Sequence, residues 1–308
     1  MLRELTARYL LLRFFAAASF DQKQWHCYTT AMKLPERKLD VQIIALDMDD
    51  TLLNRNLEIT PRTVAALRKA TENQIYIVLC SGRTESAILP YVRALDIAGT
   101  EYGRFLIAVN GASIFDLHMR LPIFTSKVPA DILLYAYAEA KKRGLPVQVY
   151  DPSTIYASED NEWTQLDARL CGLKLKIENN FLDFVKTGHP KMVIPAAPEK
   201  VAEFLPFLKE KLAGKADVFI SKPYFLEIMA HDCGKGQSVL RLADFLGIPH
   251  EQTMAFGDSM NDESMITQTA YGVSMCNGLD AIQEKAKFIT RKDNNNDGIA
   301  DFLEEFVL

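Results

Sequence analysis

Apolar and polar positions along the chain switch between two periods. Val41 to Leu46 is a short apolar run ended by a carboxylate cluster, the pattern of a central strand buried on both faces. Thr60 then supplies an N-cap, with Pro61 in the first helical position and Val64, Leu67 and Thr71 at helical spacing. Ile75 to Cys80 predicts a second buried strand, Glu85 to Leu95 a helix, and Phe105 to Val109 a third strand. Strands alternating with helices predict right-handed βαβ units and a parallel sheet. The polar clusters follow the carboxyl ends of the strands, where open α/β sheets bind ligands.

From Asp116 to Met229 the pattern changes. Short strands are expected at Val147 to Tyr150, Lys191 to Ile194, Val218 to Ser221 and Phe225 to Met229, with helices at Asp131 to Arg143 and Pro198 to Lys211. Glu159 to Glu162 reads as a polar connector. No carboxylate-bearing strand end occurs here, so this stretch reads as an inserted α+β domain. The parallel pattern resumes with a helix at Gln237 to Leu246, strands at Thr253 to Phe256 and Tyr271 to Met275, and a helix at Leu279 to Ala286. The division expected is a leader at 1–40, a core of 41–115 and 230–308, and an insertion at 116–229.

The apolar part of the leader, Tyr9 to Phe20, is interrupted by Arg13 and falls short of the ~20 residues that span a bilayer. It resembles a weak signal peptide, but Met32 offers a second candidate start, and a non-essential leader is the favoured reading. The 308 residues carry 35 Lys+Arg and 40 Asp+Glu, a net charge of −5, without a basic tract. That balance argues against a nucleic-acid partner, and no segment predicts a membrane partner. Five scattered cysteines form neither a disulfide framework nor a zinc motif; Cys80 and Cys276, in apolar runs, read as small buried hydrophobes, and a cytoplasmic location is expected. The sequence says nothing of oligomeric state.

Four short segments carry the candidate chemistry. Asp47-Met48-Asp49-Asp50-Thr51 follows the first strand, and like charges so close at a strand end call for a cation or a shared proton. Ser81-Gly82 ends the second strand and offers a hydroxyl and backbone N–H groups to an anion. Lys235 stands between glycines at a helix entrance, where its charge opposes the helix dipole and calls for a negative partner. Gly257-Asp258-Ser259-Met260-Asn261-Asp262 brings a second acidic pair, able to complete an oxygen site for a hard divalent ion. Carboxylates, a hydroxyl and a lysine at four strand ends suit phosphoryl transfer.

In this order the segments D-x-D-x-T, S-G-R, G-K-G and G-D-S-M-N-D resemble the haloacid-dehalogenase-like hydrolases, specifically the Cof-type phosphatases. Asn110-Gly111-Ala112, Gly272 to Met275, Asn277 and Asp297-Gly298 extend the likeness from Val41 to the C-terminus. The resemblance implies an α/β fold, a Rossmann-like parallel-sheet core with an inserted C2-type α/β cap. It implies Asp47 as nucleophile, forming an aspartyl-phosphate, and Asp49 as the acid and base. Ser81, Gly82, Lys235 and Thr51 would bind the phosphoryl group, Thr51 also supporting the Asp47 loop. Mg2+ would sit on Asp47, the Asp49 carbonyl and Asp258, with Asp262 acting through a water or by orienting Lys235. Asn261, Arg83 and Asn110 would line the substrate site. Asp50 departs from the commoner glycine. The implied partner is a small phosphorylated metabolite, expected to be a sugar phosphate.

Several other patterns compete with this reading. Asp293 to Gly298 with Glu304 fits a calcium-loop pattern, but no helix is expected before it. Gly257-Asp258-Ser259 resembles a serine-esterase segment without the Asp-x-x-His it needs. Five histidines (His26, His118, His189, His231, His250) show no triad or metal spacing. A phosphotransferase or mutase would share the same residues, and a regulatory protein would be expected to have lost Asp47 or Asp49. Trp163, Tyr150 and Tyr156 are candidates for choosing the leaving group.

Overall fold

The computed structural model describes residues 33–231 and 233–308. Among the described residues fourteen strands are β1 (Ile43–Leu46), β2 (Tyr76–Cys80), β3 (Phe105–Ala108), β4 (Ser113–Asp116), β5 (Leu121–Thr125), β6 (Gln148–Tyr150), β7 (Thr154–Ala157), β8 (Lys174–Ile177), β9 (Lys191–Pro195), β10 (Ala216–Lys222), β11 (Phe225–Ala230), β12 (Thr253–Gly257), β13 (Tyr271–Ser274) and β14 (Phe288–Ile289). They form an eight-stranded sheet, β14-β13-β12-β1-β2-β3-β4-β5, and a six-stranded sheet, β10-β11-β9-β6-β7-β8.

In the first sheet β1 lies between β12 and β2, parallel to both. The chain builds one side through β2 and β3 and returns to build the other through β12, β13 and β14. The order therefore reverses beside β1, which opens a crevice at its carboxyl end. Ile44 and Leu46 face one apolar layer and Ile43 and Ala45 the other, so β1 reads as an apolar run without polar alternation. Helices Pro61–Glu72, Glu85–Leu95 and Gly298–Phe306 cover the first face through Leu67, Ile88, Val92 and Phe302; helix Lys235–Leu246 covers the second through Val239 and Leu242. Thr60 accepts the Thr63 N–H at the start of Pro61–Glu72, and left-handed Gly247 ends Lys235–Leu246.

The six-stranded sheet is antiparallel except for the β7–β8 pair. One face packs on helices Ala130–Lys142 and Pro198–Lys211, with Met192, Ile194, Leu226 and Ile228 in its core. Strand alternation sends Lys191, Val193 and Glu227 to the opposite face. That face meets the carboxyl ends of the first sheet: Lys191 and Glu227 line one cleft together with Asp47, Ser81 and Asn110.

The structure revises two expectations, the start of the insertion and the polar connector. The insertion was expected to start at Asp116, but Asp116 ends β4 and β5 pairs beside it, so the chain leaves the first sheet after Thr125. The supposed connector at Glu159 to Glu162 leads into helix Glu162–Cys171, started by a capping box between Asn161 and Thr164. The leader lies outside the described residues up to Met32, and its remainder is tied to the core. Lys33 Nζ donates to the carbonyls of Gln283, Glu284 and Ala286, and the Leu39 N–H donates to Phe306. Cys80 is buried as a free thiol, as expected; Cys276 is buried as well but is not among the free thiols. Among the described residues no helix is long and apolar enough to cross a membrane.

Candidate active site

The Asp47 N–H donates to the Phe256 carbonyl, so the first turn stays tied to β12 as the chain leaves β1. Asp50 takes φ 62°, the left-handed region where the commoner glycine is at ease. Aspartate tolerates that region better than most side chains, and Asn277 Nδ2 holds the turn by donating to the Asp50 carbonyl at 2.8 Å. Thr51 Oγ1 donates to Asp258 Oδ1 at 2.9 Å. Its only proton is therefore committed to a carboxylate, and Thr51 supports the loop rather than donating to a phosphate.

Lys235 is wholly buried and bridges two carboxylates, donating to Asp47 Oδ1 and, at 2.6 Å, to Asp262 Oδ1. Asp262 Oδ2 accepts the N–H groups of Asp258 and Ser259 at 3.0 and 3.1 Å. A side chain at Gly257 would come within 2.6 Å of Asp262 Cβ, which explains the glycine before the acidic segment. Of the alternatives left open for Asp262, this geometry is that of orienting Lys235.

Ligand oxygens of Asp47, Asp258 and Asp262 lie within 4.8 Å of one another. Burial and then the charge of Asp262 push the Asp47 carboxyl up to about 7, against the opposing pull of Lys235. Burial, then Asp262 and Asp47, hold the Asp258 carboxyl well above the usual carboxylate range. Burial works against the Lys235 charge, but Asp262 and Asp47 outweigh it and raise its pKa. The donor set is all oxygen and carries more negative charge than one lysine balances, which fits a hard divalent cation such as Mg2+. Asp262 already serves three donors, so Asp47 and Asp258 are the carboxylates best able to hold it.

The Asp49 carboxylate is not part of this cluster. Arg83 grips it through Nε at 3.1 Å and Nη2 at 2.6 Å, and lies over the Tyr91 ring. Ser81 Oγ lines the cleft and accepts the Arg83 N–H at 3.2 Å. The Gly82 N–H takes no backbone partner among the described residues, while its carbonyl accepts from Lys191 Nζ at 3.1 Å. Asn110 Nδ2 donates to Glu227 Oε2 at 3.2 Å, and Asn110 Oδ1 accepts from Asn261 Nδ2 at 3.2 Å.

Lys191, Glu227 and Asp167, all from the second sheet's part of the chain, line the cleft and were not singled out from sequence. The available signal was a lone charge inside an otherwise apolar strand, as in Phe225-Leu226-Glu227-Ile228-Met229. Of the three aromatic candidates none lines the cleft: Tyr150 bonds Asp167, Tyr156 bonds Asp151, and Trp163 stacks on Tyr224, which does line it. Ser259 Oγ donates to Asn261, and His118, His189, His231 and His250 pair with carbonyls or surface carboxylates, so no esterase triad forms among the described residues. In the calcium-like loop, Asp293 Oδ1 accepts the Asn295 N–H and Asn296 Nδ2, and Asn294 Nδ2 donates to the Leu53 carbonyl. The loop braces the chain after Asp47 through these bonds.

Acidic strand ends around a buried lysine, at the switch point of a doubly wound sheet and beneath a second α/β layer, define a phosphoryl-handling hydrolase. A family model for haloacid dehalogenase-like hydrolases matches residues 44–303, and the chain belongs to that family, among its Cof-type phosphatases. It is 31% identical over 272 residues to YxeH of Bacillus subtilis strain 168, a protein classed as a phosphatase, covering 87% of this chain and 98% of YxeH. It is 28% identical over 298 residues to the 5-amino-6-(5-phospho-D-ribitylamino)uracil phosphatase YwtE of the same organism, covering 87% and 98%. The crystal structure of a haloacid dehalogenase-like hydrolase from Bacteroides thetaiotaomicron superposes with a TM-score of 0.77 at 30% identity, covering 86% and 98%.

Proposed function

We propose that the protein is a magnesium-dependent phosphomonoesterase acting on small phosphorylated metabolites, sugar phosphates among them, through an aspartyl-phosphate. The observation that carries this reading is the buried Lys235 joining Asp47 to Asp262, with Asp258 in the same carboxylate cluster. Lys235 holds Asp47 in place and stabilises negative charge on the phosphoryl oxygens, beside Ser81 Oγ and the Gly82 N–H. An Asp47 oxygen attacks phosphorus, and the ester oxygen leaves with a proton from Asp49. A water then gives its proton to Asp49 and attacks the same phosphorus, releasing inorganic phosphate and restoring Asp47. Mg2+ held by Asp47 and Asp258 would neutralise phosphoryl oxygens that the carboxylates otherwise repel. Arg83 holds the Asp49 carboxylate at the cleft, and this grip has to loosen as substrate enters for Asp49 to carry the proton it gives.

Residues 126–230 then serve as the cap. Thr84 Oγ1 donates to the Pro152 carbonyl, Lys191 to Gly82 and Asn110 to Glu227, so the second layer closes directly on the phosphate loops. The cleft between them holds about 260 Å³, just under the ~300–1,000 Å³ usual for drug-sized ligands. Phosphate release from a panel of sugar phosphates and p-nitrophenyl phosphate, with magnesium and with chelator, tests the reading. Magnesium-dependent release that falls at least about a thousandfold in folded Asp47→Asn is expected. Transfer of the phosphoryl group to a second sugar, without release, would favour a phosphotransferase.

A further inference from the structure

The cap face of the cleft carries a charge pair for which the mechanism above has no use. Lys191 and Glu227 are each about 95% buried, lie 3.4 Å apart, and both line the cleft. Their surroundings leave little free. Lys191 Nζ donates to the Gly82 carbonyl and to Glu227 Oε2, and sits 4.6 Å from the centre of the Tyr150 ring. Glu227 accepts from Ser221 Oγ at 2.6 Å on Oε1, and from Asn110 and Lys191 on Oε2. An ammonium has three N–H donors and a carboxylate about four lone-pair sites. Each partner therefore keeps one valence, a donor and an acceptor, and both side chains line the cleft. A pair of neighbouring hydroxyl groups answers that arrangement, because each hydroxyl both accepts and donates.

Position makes the same point. Lys191 is held on the carbonyl of Gly82, whose N–H the proposed mechanism assigns to the phosphoryl group, and Glu227 is held on Asn110. A leaving group attached to phosphorus there meets this pair next. Charge limits what it can be. Lys191 and Glu227 cancel, and Asp167 and Lys222, which also line the cleft, add one charge of each sign. The cap side thus offers hydrogen bonds without a net charge for a second anion.

We propose that Lys191 and Glu227 are the specificity pair of this enzyme, reading vicinal hydroxyls on a neutral polyol or sugar leaving group. This rests on the phosphatase reading above. Lys191→Met alone would strand a buried carboxylate, so the test uses the double variant Lys191→Met/Glu227→Gln, which removes both charges and keeps partners for Ser221 and Asn110. Its folding is checked by thermal melting. The readout is kcat/KM for a sugar phosphate divided by kcat/KM for p-nitrophenyl phosphate, whose leaving group has no vicinal hydroxyls. The ratio is expected to fall at least about tenfold in the double variant, mainly through KM for the sugar phosphate, the loss of hydrogen bonds to charged groups. An unchanged ratio, whether both activities fall together or neither falls, overturns the proposal and leaves the pair a structural or closing element. Wild-type enzyme that releases phosphate from neither the sugar phosphates nor p-nitrophenyl phosphate would sink the phosphatase reading, and this inference with it.

Discussion

Asp47 concentrates the electrostatic argument in one carboxyl group. Folding raises it from 3.8 to about 7, so the folded chain holds this proton more tightly than the unfolded chain does. Its contribution to stability is full below pH ~3.8 and is lost as the pH rises through about 7. Without metal, that stability should fall across this window. A divalent cation binds the deprotonated carboxylates, so it should restore more stability at high pH than at low. Thermal melts with and without magnesium are expected to show a Tm gain larger at pH 8 than at pH 5 by at least about 2–4 °C, the shift given by one kcal/mol in a domain of this size. Equal gains at both pH values would show that the cluster does not hold the ion. The strand-end chemistry at Asp47, Ser81, Lys235 and Asp258 was legible in sequence because each lies in a short polar segment at a strand end or helix start. Lys191 and Glu227 were not legible. They sit in the middle or at the start of apolar strands, and only the pairing of β9 with β11 brings them together.

The turns between strands and helices depend on close backbone approaches that a sequence pattern does not display. Gly111 follows β3 with φ +100°, and a side chain there would lie 2.3 Å from the Gly234 carbonyl. Ser238 Oγ donates to the Gly111 carbonyl at 2.7 Å, locking this turn to the helix that begins with Lys235. Gly111→Ala should therefore cost roughly 2–4 kcal/mol, from overpacking together with an unfavourable dihedral. Urea denaturation measures this, and a cost under about 1 kcal/mol would mean that the two turns move independently. Periodicity served well for elements with one clear face, such as Pro198–Lys211, found with the same limits as expected. It failed for the β4–β5 hairpin and for β7, β8 and Glu162–Cys171. These are short, and their burial is set by neighbours distant in sequence. The insertion begins later than the pattern predicts for the same reason: β5 has two exposed residues at its start, Leu121 and Pro122, and only pairing with β4 places it in the first sheet.

At the scale of the whole molecule, a charged reaction centre is enclosed between two α/β layers. The first supplies Asp47, Asp49, Ser81, Lys235 and Asp258 at strand ends and helix starts; the second closes over them with Lys191 and Glu227. Enclosure strengthens each charge interaction in the cleft, and in the proposed mechanism it keeps bulk water from the aspartyl-phosphate until the leaving group has gone. Under the same proposal it restricts substrates to small esters. The proposed mechanism requires covalent transfer to Asp47. The direct measurement is acid quenching of the enzyme during turnover of a good substrate, followed by peptide mass analysis. We predict one phosphoryl group on the peptide containing Asp47, removed by hydroxylamine and absent in Asp47→Asn. A phosphoryl group on any other residue, or active enzyme that never carries one, would contradict the account.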